Sequence, residues 1–92
     1  AGQLVVKEQD LQKIKLVVPK NWDGQWRVVI FDIPEELRPI RNRFRRKLNE
    51  LGFTMVQKSV FKSQLPCTPE IRVTAEILGI SKFVQIITGD FV

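Results

Sequence analysis

Asp32 is the first residue of the chain whose type and position suit chemistry. It lies within the apolar stretch 26–34, whose residues 28–30 are Val, Val and Ile. Such a run predicts a strand that is buried on both faces, and Pro34 then ends the pairing. An acid at the end of a buried strand is either a turn residue, with its carboxylate bonded to backbone N–H groups, or part of a site.

The composition limits what Asp32 could do. The chain has no histidine and one cysteine, Cys67, which excludes histidine-based catalysis, a Cys/His metal site and an intrachain disulfide. Any metal would be a hard cation such as Mg²⁺ or Mn²⁺, held by carboxylate oxygens. One carboxylate alone is a poor metal site, so Asp32 as a catalytic residue and metal ligand would need a partner.

Positive charge is concentrated in residues 38–47, where six of ten residues are Arg or Lys, and the net charge of the chain is +5. Such a segment either contacts phosphates without reading sequence or forms a solvated helix face whose stems cover apolar neighbours. Few acids balance these charges at helical spacing, which favours phosphate contact. The predicted nucleic-acid-binding residues are Arg38, Arg41, Arg45, Arg46 and Lys47.

Four further side chains could do chemistry but have simpler structural explanations. Trp22 and Trp26 could stack on bases, yet a tryptophan pair beside a buried strand more often packs. Ser59 has no histidine or evident base to activate it as a nucleophile. Cys67 precedes a helix start, which can lower a thiol pKa, although a small buried residue is the simpler interpretation.

The elements that must position these residues follow from periodicity. Residues 25–33 predict the first strand, and a helix follows from about Pro39 to Leu51. Gly52 predicts a left-handed helix end, with Phe53 touching Leu48 as in a Schellman motif. The helix has one apolar stripe, formed by Leu37, Ile40, Phe44, Leu48 and Leu51.

The second half of the chain completes an α+β pattern. Residues 54–65 indicate either one bent strand or two strands that meet near Ser59. Thr68 is expected to be the N-cap of a second helix that ends at Gly79, and residues 82–88 predict the last strand. With a split at Ser59, the order is the ferredoxin-like βαββαβ, with two helices on one face of an antiparallel sheet.

The first strand is apolar on both sides, with one set formed by Trp26, Val28 and Ile30. Because both helices would lie on one face, something must cover the other. A second copy, packed sheet to sheet about a two-fold axis, is the simplest cover, so we expect a homodimer.

The 92 residues suit one domain. We expect residues 1–24 to be a connector from a missing upstream region and residues 25–92 to form the domain. The chain starts with Ala1-Gly2 and stops on Phe91-Val92, so we expect it to be part of a longer protein. No apolar run could span a bilayer and no signal peptide is visible, and a single cysteine fits a reducing compartment, so the predicted location is the cytoplasm, with no membrane partner.

Residues 22–34, WDGQWRVVIFDIP, resemble the opening of the central domain in PaaX-type transcriptional repressors. The run Leu51-Gly52-Phe53 and the segment 56–61, VQKSVF, look like the same domain. Both are also similar to the CRISPR-associated Cas-two family, the small dimeric partner in spacer integration. The resemblance covers about residues 22–88.

This resemblance implies a ferredoxin-like domain that dimerises through its sheets. In the nuclease members, the acid that ends strand one faces its mate across the two-fold axis and binds a divalent metal, and that position is Asp32 here. The SVF segment, 59–61, would lie beside it. The sequence departs from the nucleases by its N-terminal extension and by Pro34. The implied dimer interface comprises Trp26, Val28, Ile30, Ser59 and Phe61.

These features lead to three hypotheses. The main one is a dimerising, nucleic-acid-associated domain of a PaaX-like transcriptional regulator, with DNA as partner and a winged-helix DNA-binding domain upstream. The alternative is a Cas-two-type, metal-dependent endonuclease or spacer-integration subunit that uses Asp32 from each protomer. The third is a structural dimer module that does not contact nucleic acid.

Overall fold

The computed structural model describes residues 8–90, which form one four-stranded antiparallel sheet with helices. The strands are β1 (Trp26–Phe31), β2 (Thr54–Gln57), β3 (Val60–Ser63) and β4 (Val84–Gly89). The helices are α1 (Glu8–Gln12), α2 (Arg38–Glu50) and α3 (Thr68–Ile77). Short 3₁₀ turns, Glu35–Leu37 and Ser81–Phe83, precede α2 and β4. The strand order across the sheet is β2-β3-β1-β4.

The predicted α+β class is confirmed. From β1 onward the strands and longer helices follow the chain order βαββαβ, while α1 and the two 3₁₀ turns are additions to a bare ferredoxin-like arrangement. Residues 54–65 form two strands, and the two residues Lys58 and Ser59 make the turn between them. The alternative of one long bent strand is therefore wrong.

The core lies between the helices and one face of the sheet. On β1 this face carries Arg27, Val29 and Phe31, which are all buried. The Phe31 ring meets Phe44 of α2 edge to face at 5.2 Å and stacks on Phe61 of β3 at 5.8 Å. Helix α3 adds the buried residues Ile71 and Ala75 to the same core, and its C-cap residue Leu78 adds a third.

Helix α2 ends as its sequence predicts. Gly52 has a φ of +88°, a backbone conformation that favours glycine because glycine has no Cβ atom. The Phe53 N–H donates to the Leu48 carbonyl at 3.0 Å, and the Gly52 N–H donates to the Asn49 carbonyl at 3.1 Å. This pair of bonds is the Schellman motif, and it turns the chain into β2.

The start of α3 differs from the prediction by one residue. Thr68 is the first helical residue, and Cys67 takes the N-cap position without a side-chain cap bond. The reason is that the Ile71 N–H donates to the Cys67 carbonyl at 3.0 Å, so helical bonding begins one residue earlier than expected.

Part of the expected connector packs on the domain. Leu11 of α1 is 3% exposed and belongs to the core, and Ile14 and Leu16 pack against it. Residues 1–7 of that connector lie outside the described part of the chain. Within residues 8–90, no helix has both the length and the apolar character needed to cross a bilayer.

Candidate functional site

The face of the sheet opposite the helices is called the open face below. Cross-strand partners share a face, so the pairs Val28↔Lys62, Ile30↔Val60 and Val28↔Ile87 define it. The side chains of Val28, Ile30 and Val60 are half-buried, and Ile87 is 50% exposed. On β1, β3 and β4 the open face comprises Trp26, Val28, Ile30, Val60, Lys62, Gln85 and Ile87.

Three of the five residues predicted for the dimer interface, Trp26, Val28 and Ile30, lie on the open face. Phe61 does not, because its partner Val29 faces the helices and Phe61 is 1% exposed in the core. Ser59 lies in the β2–β3 turn and its carbonyl accepts a bond from the Phe31 N–H at 3.1 Å. The prediction for Phe61 is therefore wrong, since its side chain has no access to the open face.

Asp32 directly follows β1, and its side chain is exposed. Its N–H donates to the Phe83 carbonyl at 2.9 Å, which continues the β1–β4 pairing by one residue. Within residues 8–90 its carboxylate has no hydrogen-bond or ion-pair partner, so the alternative of a turn residue bonded to backbone N–H groups is wrong. It lines a cleft of about 300 Å³ with Ile30, Lys82, Phe83 and Gln85.

The cleft of one copy does not fit a divalent metal ion. Asp32 is the acid among the residues that line it, and Lys82 brings a positive charge to the same space. In the described part of the chain, no three acidic or cysteine side chains converge on one point. A hard cation needs several oxygen ligands, so one protomer supplies too few.

Some of the predicted phosphate-binding residues of α2 already bind other groups of the protein, whereas others remain accessible. Lys47 is 6% exposed, and its Nζ lies 3.4 Å from a Glu50 carboxylate oxygen. Its ammonium is therefore not available to a phosphate, which corrects that prediction. Arg45 donates from Nε and Nη2 to the Lys58 carbonyl at 3.2 and 2.6 Å, so its guanidinium supports the β2–β3 turn.

The outer basic residues of α2 remain accessible to different degrees. Arg38 and Arg41 both pair with Glu35 of the preceding 3₁₀ turn, which offsets part of their charge. Arg46 is exposed and has no partner within residues 8–90. It lines a shallow groove between α1 and α2 that also includes Arg43. Arg46 is thus the best-presented cation of the predicted set.

The sequence analysis missed an ion pair between Asp23 and Arg27. Arg27 is 8% exposed, and its Nη1 and Nη2 donate to the two Asp23 oxygens at 2.9 and 2.5 Å. Nη1 also donates to the Gln25 and Gln64 carbonyls. This bidentate pair holds the segment before β1 against the end of β3. The sequence carries no clear signal for this pair, because the contact depends on the turn at Gly24, whose φ is +80°.

Trp22 and Cys67 have structural roles. Trp22 packs edge to face on Trp26 with the centroids 5.6 Å apart, and its Nε1 donates to the Gln25 carbonyl at 2.8 Å. Burial raises the pKa of the Cys67 thiol to about 11, because the thiolate would lose its solvation. This is opposite to the lowering that a reactive thiol needs.

The Asp23–Arg27 pair predicts an acid-sensitive contribution to stability. The hydrogen bonds from Arg27 lower the pKa of Asp23 from 3.8 to about 2. Because its pKa is lowered, the Asp23 carboxylate stabilises the folded state at pH values above its ordinary pKa of 3.8. That stabilisation is lost as the pH falls through 3.8 toward 2. We expect the parent protein to have a higher melting temperature than Asp23→Asn at neutral pH. The difference between the two melting temperatures should shrink as the pH falls from 3.8 toward 2. Thermal unfolding at several pH values measures it; a gap of constant size would contradict the assignment.

Comparison of the chain with known proteins identifies its family. A family model for the PaaX protein central Cas2-like domain matches residues 19–92. Comparison with curated proteins and with solved structures gives no match. The matched range contains the WDGxWR motif, the FDIP strand end, α2, the β2–β3 hairpin, α3 and β4. The predicted resemblance is thereby confirmed, and the chain belongs to the family of the PaaX protein central Cas2-like domain.

Proposed function

We propose that this chain is a self-associating, DNA-associated domain of a PaaX-type transcriptional regulator. The observation that carries the proposal is the open face. Its central side chains, Val28, Ile30 and Val60, are apolar, and no helix within residues 8–90 packs on them. Contiguous apolar surface of this kind marks a contact with another molecule.

A second copy of the chain is the proposed occupant of the open face. The face is apolar at its centre, whereas Lys62 and Gln85 lie on the flanking strands. Lys62 holds its Nζ 4.6 Å from the centre of the Trp26 ring, so its charge sits at the margin. An apolar centre with a polar margin is the arrangement found in stable interfaces, and a two-fold axis would bury both copies at once.

The DNA contact in this proposal is electrostatic and independent of sequence. Arg46 is exposed, Arg38 is exposed beside Glu35, and the chain carries a net charge of +5. Cations of this kind bind phosphates and release counterions, but they do not identify bases. Recognition of a particular DNA sequence would belong to another part of the full-length protein, for which a winged-helix domain upstream is the candidate.

Replacing Arg46 with glutamine tests the DNA contact. We expect binding to double-stranded DNA to weaken, and the slope of log K against log salt to fall in magnitude by about 1 for the lost phosphate contact. Fluorescence anisotropy titrations at several salt concentrations measure both values. Lys82→Gln removes the same charge from the 3₁₀ turn before β4 rather than from α2, and serves as the matched control.

The two variants separate a local contact from a general charge effect. If Arg46→Gln and Lys82→Gln reduce affinity and salt slope equally, the cations of α2 have no special place in binding. If the parent protein fails to bind DNA even at low salt, the DNA part of the proposal is wrong and the domain is a self-association module alone.

A metal-dependent endonuclease is the second candidate, and one observation favours it. The Asp32 carboxylate is exposed and has no partner within residues 8–90, so a carboxylate from a second copy could approach it. The experiment is to incubate the protein with double-stranded DNA and Mn²⁺ beside Asp32→Ala and Glu36→Ala. Cleavage that Asp32→Ala abolishes and Glu36→Ala retains would establish the enzyme and overturn the non-enzymatic proposal.

A further inference from the structure

The free edge of β4 is a second surface that the open face does not explain. In the order β2-β3-β1-β4, β4 lies at the end of the sheet and pairs with β1 on one side. No strand within residues 8–90 pairs with its other side. A strand edge of this kind offers a row of backbone N–H and C=O groups to another chain.

The register of β1 with β4 identifies the groups at this edge. The Asp32 N–H donates to the Phe83 carbonyl at 2.9 Å, so Phe83 turns its carbonyl toward β1, while its N–H donates to the Ile80 carbonyl. In an antiparallel pair this orientation alternates from residue to residue. Ile86 and Thr88 therefore direct their N–H and C=O groups toward the free edge. Val84 directs its C=O there, while its N–H already donates to the Ser81 carbonyl.

The β4 edge lacks the features that usually keep strand edges apart. Residues 83–89 contain no charged residue and no proline. By contrast, β2 at the other end of the sheet has four residues and a register shift between Met55 and Gln57. Regular, uncharged edges associate unless something covers them, so the β4 edge is the one suited to pairing.

A groove between β4 and α3 runs along the same edge. It has a volume of about 280 Å³, and its floor includes Ala75, Val84 and Ile86. Arg72 and Glu76 line it from α3, both are exposed, and neither has a partner within residues 8–90. The groove thus carries one free charge of each sign beside an unpaired strand edge.

We propose that β4 pairs with β4 of a second copy, antiparallel and about a two-fold axis at Ile86. Ile86 then lies opposite its own equivalent, and Val84 of each copy lies opposite Thr88 of the other. This single register would pair the Ile86 N–H and C=O groups of the two copies, and each Thr88 N–H with the Val84 C=O of the other copy. The two sheets become one continuous eight-stranded sheet.

The charges of α3 identify a second copy as the occupant of this edge. A two-fold axis reverses the direction of one groove relative to the other. Arg72 of each copy would therefore lie toward Glu76 of the other copy. Opposite signs on each copy make this surface complementary to itself. The edge contact is independent of the open face, and an assembly that used both surfaces would contain four chains.

Amide hydrogen exchange on the full chain tests the edge contact directly. We expect the Ile86 and Thr88 amides to exchange at least about tenfold more slowly in concentrated than in dilute protein. Packing on the open face would not produce this alternating pattern, because it does not engage the edge amides. Equal exchange rates at all concentrations would overturn the proposal.

Two sets of variants identify the contact. Thr88→Pro removes an outward N–H in each copy, and we expect roughly tenfold or more weaker association, whereas Thr88→Ala retains the N–H and the association. Arg72→Glu should also weaken association, and Arg72→Glu combined with Glu76→Arg should restore it. Circular dichroism checks that each variant is folded. Association that Thr88→Pro leaves unchanged in a folded protein, or that the double charge exchange fails to restore, would contradict the assigned register.

Discussion

Replacing Phe61 with alanine is expected to lower the free energy of unfolding by about 3–5 kcal/mol. Phe61 is 1% exposed, and its ring stacks on Phe31 at 5.8 Å between the sheet and α2. Removing the ring loses its burial and leaves a cavity that close-packed neighbours fill only in part. Because a domain of this size is stable by roughly 5–15 kcal/mol, the loss would take a large share of the total.

Urea unfolding followed by tryptophan fluorescence measures this change. Val60→Ala is the matched control, because Val60 is the preceding strand residue and its side chain lies on the open face. We expect the control to lose less than half as much stability in dilute protein. Equal losses for the two variants would show that the faces of β3 are assigned the wrong way round.

Replacing Ile30 with glutamate is expected to weaken self-association by roughly 100-fold or more while the fold is retained. Ile30 is at the centre of the open face, opposite Val60 on one side and Gln85 on the other. In a single copy the new carboxylate would project into water at little cost. In a sheet-to-sheet contact it would be buried against apolar groups without a partner, and the contact would be lost.

The matched control for Ile30→Glu is Asn42→Glu, which adds the same charge at an exposed position of α2. We expect Asn42→Glu to associate like the parent protein. If both variants weaken association to the same extent, net charge rather than the open face is responsible, and the proposed contact is wrong.

The features that could be predicted from sequence are those encoded locally or by simple alternation. The apolar stripe of α2 and its end at Gly52 depend on residues within a few turns of each other, and both are confirmed. The two-sided apolar character of β1 also predicted the open face, because side chains alternate strictly along a strand. Family membership followed from the motif around β1 and is confirmed by the match to residues 19–92.

The errors concern features that depend on tertiary register. A shift of one residue in strand pairing moves every side chain to the other face. The sequence predicted the β2–β3 join near Ser59 but not which face each β3 side chain takes. The resemblance implied Phe61 at the dimer interface, although its side chain is buried in the core. Lys47 lies one turn from Phe44, beside the apolar stripe, and its 6% exposure follows from that position.

The Asp23–Arg27 pair shows why some functional geometry is not visible in a sequence. The two residues are four apart, but the turn at Gly24 separates them, so helical spacing does not apply. Their contact depends on a backbone φ of +80° at Gly24 and on the Gln64 carbonyl, which comes from a distant part of the chain. Only the folded chain brings these groups together.

Sedimentation equilibrium of the parent protein beside Ile30→Glu and Asn42→Glu tests the central proposal, self-association through the open face, most directly. The monomer mass is 10.7 kDa. We predict that the parent and Asn42→Glu are heavier than one chain, and that Ile30→Glu has half the mass of the parent. A parent that stays at 10.7 kDa at all concentrations, or a mass that Ile30→Glu leaves unchanged, would contradict the proposal.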